Sequence, residues 1–158
     1  MSHDELYAKL KMPRIDFYLL DDPAPNSAAL FACRLTEKIF LLGHRIFIQA
    51  ASAEQAQTLD DLLWTFKQGS FLPHACHPVA ADKQPPILIG HQDEPDDGFQ
   101  VLINLSPVIP TFYSRFERIA ELVGPGESSR QEARKRFSAY RDSGCEMATH
   151  NLGGSGTP

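Results

Sequence analysis

Residues Arg14–Leu20 (RIDFYLL) are rich in aromatic and branched side chains and stop abruptly at Asp21-Asp22-Pro23. Side chains of that kind fit a pleated strand, and the proline cannot continue one. Asn26 or Ser27 is placed to cap the next segment, in which Leu30, Phe31, Cys33, Leu35, Ile39 and Leu42 recur at helical intervals until Gly43. Arg45–Ala50 (RIFIQA) reads as a second short strand. Ser52 then opens a helix with Gln55 at capping-box spacing, and Ala56, Leu59, Leu62, Leu63 and Phe66 keep the helical period. Strand, helix, strand and helix joined by short connections cannot pair as hairpins. They require a mostly parallel sheet with crossover helices packed on it, an α/β domain.

The middle of the chain changes character. Residues Gly69–Gln84 hold two histidine-proline neighbourhoods and read as a surface loop, Ile87–Gly90 as a short strand, and Gln92–Gly98 (QDEPDDG) as an acidic turn. Phe99–Leu105 (FQVLINL) is the clearest strand of the second half. Helical spacing returns at Phe112, Phe116, Ile119, Ala120 and Val123 before Gly124-Pro125-Gly126, and a last helix runs from Glu127 or Ser128 to Ser143, closed by Gly144. The expected organisation is a polar, flexible extension over 1–13, one domain over 14–152 and a flexible GGSGTP tail over 153–158.

Composition narrows the function classes. Of 158 residues, 42% are hydrophobic and 22% charged, which excludes wholesale disorder. A formal charge of -5 gives no general attraction to nucleic-acid phosphates, so any link to DNA is local or passes through another protein. No apolar run reaches the roughly 18–20 residues of a membrane span. The start, MSHDELYAKLKMP, has no charged segment followed by an apolar one, so no secretory signal is expected. Three widely spaced cysteines, Cys33, Cys76 and Cys145, argue against a disulfide framework and for a reducing, cytoplasmic setting.

A sheet of this class invites a nucleotide at its first strand-to-helix turn, where glycines let backbone amides approach a pyrophosphate. Here the turn is Asp21-Asp22-Pro23-Ala24-Pro25-Asn26, with carboxylates that repel phosphate and prolines that lack an N–H. Among candidates for other chemistry, His74-Ala75-Cys76-His77 gathers three metal-ligand types in four residues. A zinc site needs a second ligand pair, and His44, His91, His150, Cys33 and Cys145 are scattered singly. No cofactor or metal is therefore expected. A nucleotide- or metal-dependent enzyme using the sheet crevice and the His74–His77 loop is the alternative reading.

Two patterns rise above this background. In the last helix Arg130, Arg134, Phe137 and Arg141 fall on one narrow stripe, with Ala133 and Tyr140 beside it. Guanidinium groups recognise carboxylates in planar, two-pronged fashion, and an aromatic at the border can wall an apolar pocket. An acidic peptide ending in a hydrophobic residue and its carboxylate satisfies both halves. A solvated basic face, with Phe137 and Tyr140 turned into the core, fits the same spacing. The second pattern joins Leu59-Asp60-Asp61-Leu62-Leu63-Trp64-Thr65-Phe66 to Ser70-Phe71-Leu72-Pro73-His74. Large aromatics at a helix end and in a loop suit a protein interface, with ordinary core packing as the other reading.

These segments also carry a resemblance. The order RIDFYLL, LDDLLWTF with SFLPH, VLINL and ARKRFSAYRDSG resembles the chi subunit family of bacterial DNA polymerase III over about Arg14–Leu152. The resemblance implies a nucleotide-binding-like (Rossmann-like) α/β fold without a nucleotide site, and a non-catalytic clamp-loader accessory subunit. It implies that the protein bridges the single-stranded DNA-binding protein SSB and the psi subunit, meeting DNA only indirectly through SSB and no membrane. By resemblance, Arg134 and Phe137 are central to a pocket for the SSB C-terminal tail, Arg130 and Arg141 flank it, and Val123 and Thr149 lie at its edges. The psi-facing surface falls on Trp64 and Phe71, with Leu72 and Pro73 beside it, and some relatives use that surface for a helicase. Phe137 stands where tyrosine is expected and Ser138 where a lysine can stand, which predicts a weaker, salt-sensitive contact with the tail.

Overall fold

The computed structural model describes residues 12–80, 82 and 84–152. Of the extension expected over 1–13, only Met12, packed against the core, and Pro13 are among the described residues, and the tail expected over 153–158 lies outside them. Seven strands, β1 (Arg14–Leu19), β2 (Ile46–Gln49), β3 (His74–Cys76), β4 (Ile87–Gly90), β5 (Val101–Asn104), β6 (Arg118–Val123) and β7 (Glu146–Asn151), form one sheet in the order β3-β4-β2-β5-β6-β1-β7. Every neighbouring pair is parallel. The expected α/β class with a nucleotide-binding-like parallel sheet is the one observed.

Among the described residues, three α-helices cover the two faces. α1 (Ser27–Leu41) and α2 (Ala53–Thr65) pack on one, where Phe31, Leu35, Leu59 and Leu63 meet Ile46, Ile48, Ile87, Ile89 and Ile103. α3 (Glu127–Asp142) packs on the other, with Ile15, Phe17, Phe47, Leu88, Leu102 and Ile119 beneath it or beside it. Strand alternation assigns the sides, with Ile15 and Phe17 of β1 facing one way and Tyr18 the other. α2 starts as its sequence predicts: the Ser52 hydroxyl accepts from the Gln55 backbone N–H at 3.1 Å, and the Gln55 side chain accepts from Ala51 N at 2.7 Å. α1 instead begins after Asn26 in a left-handed conformation (φ 65°), which asparagine tolerates, with no side-chain cap.

Two sequence expectations are corrected. The 69–84 loop contains β3, an edge strand whose three residues pair with β4. The helical spacing over 112–123 resolves into a 3-10 turn at Tyr113–Arg115 followed by β6. A strand covered on both faces reads as a continuous apolar run, and so it mimics a helix when its period is sampled over few residues. The acidic turn is tied down by Arg115, which reaches Glu94 at 3.3 Å and Asp97 at 3.8 Å.

Candidate functional site

Beside the small Ala133, α3, β1 and β7 enclose a cavity of about 190 Å³. Its lining is Phe17 and Leu19 of β1, Thr149 of β7, and Arg130, Ala133, Arg134 and Phe137 of α3. The parallel register places Phe17 opposite Thr149. The Phe17 and Phe137 rings meet at 5.5 Å, so the aromatic wall is a pair rather than a single side chain. Four residues singled out in the sequence, Arg130, Arg134, Phe137 and Thr149, thus share one concavity. Val123 and Arg141 do not line it: Val123 ends β6 within the core, alongside Leu19, and Arg141 lies exposed one turn further along the helix. Phe17 and Leu19 were missed as lining residues, although the alternation in RIDFYLL puts both on the same sheet face.

The electrostatics differ from a cluster of free guanidinium groups. Arg130 Nη2 donates to Asp21 Oδ1 at 2.9 Å, Arg134 Nη1 to Glu127 Oε1 at 3.1 Å, and Arg141 Nε to Asp142 Oδ1 at 3.4 Å. Each arginine of the stripe has an acidic partner. The Arg134 and Arg141 pairs are exposed at both ends, and such pairs contribute only about 0–1 kcal/mol, so an incoming anion can exchange with them.

α3 is fixed to the sheet by a buried polar network that the sequence pattern did not reveal. Arg136 Nε donates to Glu121 Oε1 at 3.0 Å, while Tyr140 Oη and Asn104 Nδ2 donate to Glu121 Oε2 at 2.7 and 2.9 Å. Burial pushes the Glu121 carboxyl up, and the Arg136 charge with the three donors offsets part of that shift. Arg136 and Tyr140 are one turn apart, so both enter the core while Arg130, Arg134 and Phe137 are carried to the helix flank.

A second surface lies at the end of α2. Trp64 is 55% exposed and Phe71 68% exposed, and their rings meet at 5.9 Å. The His74 ring lies 4.6 Å from that of Trp64. Leu72 is buried in the core and Pro73 is half-buried, so these two anchor the loop while Trp64 and Phe71 present apolar surface.

Within the His74–His77 segment, His74 is engaged in local contacts, while His77 Nδ1 is buried without a hydrogen-bond partner among the described residues. The His74 ring nitrogens face Leu72 O at 2.6 Å and Asp60 O at 3.2 Å, so both are turned toward backbone oxygens. Among the described residues, no group of three or more His, Cys, Asp or Glu side chains can hold a metal ion. Burial, with Asp60 and Asp61 nearby, pushes the Cys76 thiol up, and burial raises Cys145 and takes Cys33 to about 12, the opposite of thiolate activation. Where such sheets hold nucleotides, the crevice of about 340 Å³ is lined by Asn26, Ser27, Ala28, Ala29, Ser52, Glu54, Gln55 and Thr58, with a carboxylate and no glycine. Among the described residues, no helix is long and apolar enough to cross a membrane.

The chain is similar to known proteins over most of its length. The family described as "DNA polymerase III chi subunit, HolC" matches residues 12–148. The chain is 35% identical over 141 residues to DNA polymerase III subunit chi of Pseudomonas aeruginosa, covering 89% of this chain and 98% of that one. It is 29% identical over 138 residues to subunit chi of Haemophilus influenzae, covering 87% and 96%, and 27% identical over 143 residues to that of Escherichia coli, covering 87% and 97%. Among solved structures, the crystal structure of T4 UvsW superposes with a TM-score of 0.63 at 8% identity, over 88% of this chain and 41% of that one, a likeness of fold alone.

Proposed function

Because this chain belongs to the DNA polymerase III chi subunit family, we propose that it is a non-catalytic adaptor of the polymerase holoenzyme with two protein-binding surfaces. The α3–β1–β7 cavity receives the acidic C-terminal tail of SSB. The terminal phenylalanine ring enters against Phe17, Leu19, Ala133 and Phe137, its carboxylate meets Arg130 and Arg134, and Thr149 closes one side. Val123 supports the floor from the core, and Arg141 extends the basic flank for acidic residues further up the tail. The observation that carries this reading is the union, in one cavity, of an aromatic pair with two guanidinium groups whose acidic partners lie outside the lining. The Trp64–Phe71 surface, braced by Leu72 and Pro73, binds the psi subunit or a helicase in its place. In this role the protein links the clamp loader to SSB-coated DNA and touches DNA only through SSB.

Calorimetric titration with a synthetic acidic peptide ending in Pro-Phe carboxylate tests the first surface. Micromolar binding is expected, lost on Arg134→Ala, weakened by salt, and absent for a peptide lacking the phenylalanine. Binding unaffected by Arg134→Ala refutes the site. Trp64→Ala with Phe71→Ala is expected to abolish capture of psi while leaving peptide affinity unchanged; loss of both together refutes two separate surfaces.

A further inference from the structure

We propose that Asp21 is a positioning residue for this cavity. It holds the Arg130 guanidinium by one nitrogen and leaves its other N–H groups to the carboxylate of the acidic peptide. The inference rests on the peptide-binding reading of the cavity given above and adds a residue outside its lining.

Asp21 stands two residues beyond β1 on a turn with little freedom. Leu20 N donates to Val123 O at 2.9 Å, Ala24 N to Asp22 Oδ1 at 2.9 Å, and Ser27 Oγ to Asp22 O at 2.8 Å. Pro23 and Pro25 fix two further φ angles. The turn therefore carries the Asp21 carboxylate at a set distance from α3, where it accepts from Arg130 Nη2 at 2.9 Å. A guanidinium is planar and rigid, so a bond to one nitrogen constrains where the remaining donors lie. Among those donors, Arg130 Nε is buried and has no hydrogen-bond partner among the described residues. A buried donor without an acceptor is destabilising, so Arg130, a lining residue of the cavity, keeps unused hydrogen-bonding capacity. Arg134 differs. Its partner Glu127 sits on the same helix, and both side chains are exposed, so this pair supplies charge without fixing geometry.

Asp21 acts on an acidic ligand in two opposing ways: its charge repels the ligand and its hydrogen bond orients Arg130. Asp21→Asn and Asp21→Ala both delete the charge, but only asparagine keeps an oxygen that can accept from Arg130. Comparing the two isolates the positioning effect.

The experiment titrates the full chain carrying each substitution with the acidic Pro-Phe peptide, once as free carboxylate and once as C-terminal amide. Thermal melts check that each variant is folded. Asp21→Ala is expected to bind the free-acid peptide about three- to tenfold more weakly than Asp21→Asn, a gap characteristic of one charge-assisted hydrogen bond. The gap shrinks to within about twofold for the amide, and it vanishes in an Arg130→Ala background, as coupled residues require. If Asp21→Ala binds as tightly as Asp21→Asn or tighter, while Arg134→Ala still abolishes binding, positioning by Asp21 is wrong and the cavity reading stands. If the wild-type chain binds neither peptide, or Arg134→Ala has no effect, the cavity reading falls and this proposal with it.

Discussion

Replacing Arg136 by methionine keeps much of the side-chain volume and deletes the guanidinium. Arg136 is 7% exposed and its partner Glu121 is fully buried. The change removes the 3.0 Å bond to Glu121 and the 3.0 Å bond to Pro107 O, leaving a buried carboxylate with only Asn104 and Tyr140 as neutral donors. Breaking one side of a buried pair costs about 3–5 kcal/mol. In a domain of this size that lowers Tm by about 6–20 °C. The penalty belongs to the ionised carboxylate. Burial already pushes Glu121 above its ordinary range, and losing Arg136 raises it further. A carboxyl raised in the folded state loses stability as pH increases, so the deficit of the variant is greatest near neutral pH and narrows on acidification. Urea unfolding followed by circular dichroism at pH 7.5 and 5.5 measures both effects. A loss below about 1 kcal/mol at pH 7.5, or a deficit that grows at pH 5.5, refutes the argument. Glu121→Leu combined with Arg136→Met is expected to recover most of the loss, because no charge is then stranded.

Two further outcomes follow from packing and charge elsewhere in the sheet. At Gly90 an added Cβ would lie 2.5 Å from the Phe47 ring, which is itself locked in the core, so Gly90→Ala is expected to destabilise by about 1–3 kcal/mol; undiminished urea stability would contradict that packing. At Asp16, burial alone would raise the pKa, but hydrogen bonds from His150 and Arg118 and the charges of Arg118 and Arg14 outweigh it and hold the carboxyl below its ordinary range. Its contribution is present above that range and lost as pH falls through the depressed value, so Asp16→Asn is expected to flatten the stability profile between about pH 5 and pH 2, and an unchanged profile contradicts the assignment.

The strand-like and helical patterns that predict β1, α1, β2, α2, β4, β5 and α3 were legible because those elements are bounded by Asp-Pro, glycine or a serine cap and carry a clear period. β3 and β7 were not. Both are edge strands, and Glu146–Asn151 (EMATHN) mixes polar and apolar residues because one side of the strand has no neighbour. β6 was read as helix because both its faces are covered. In the site, helical spacing brought Arg130, Arg134 and Phe137 together, and only the family resemblance pointed to Thr149. The acid that partners Arg130 escaped notice, since Asp21 is 109 residues from it in the chain.

By itself the sequence determined the alternating parallel architecture, the absence of a phosphate-cradling turn, and a helix with basic and aromatic residues on one stripe. Those properties depend on neighbours along the chain: period, turn chemistry and the kind of side chain at a given spacing. Tertiary structure alone decided that Arg136 turns inward to Glu121 while Arg134 stays outside, that Phe17 and Leu19 complete an apolar cavity, and that a carboxylate from the first turn holds Arg130. Each of these depends on which strand lies beneath α3, a choice made by crossover connections and packing, and no local pattern records it.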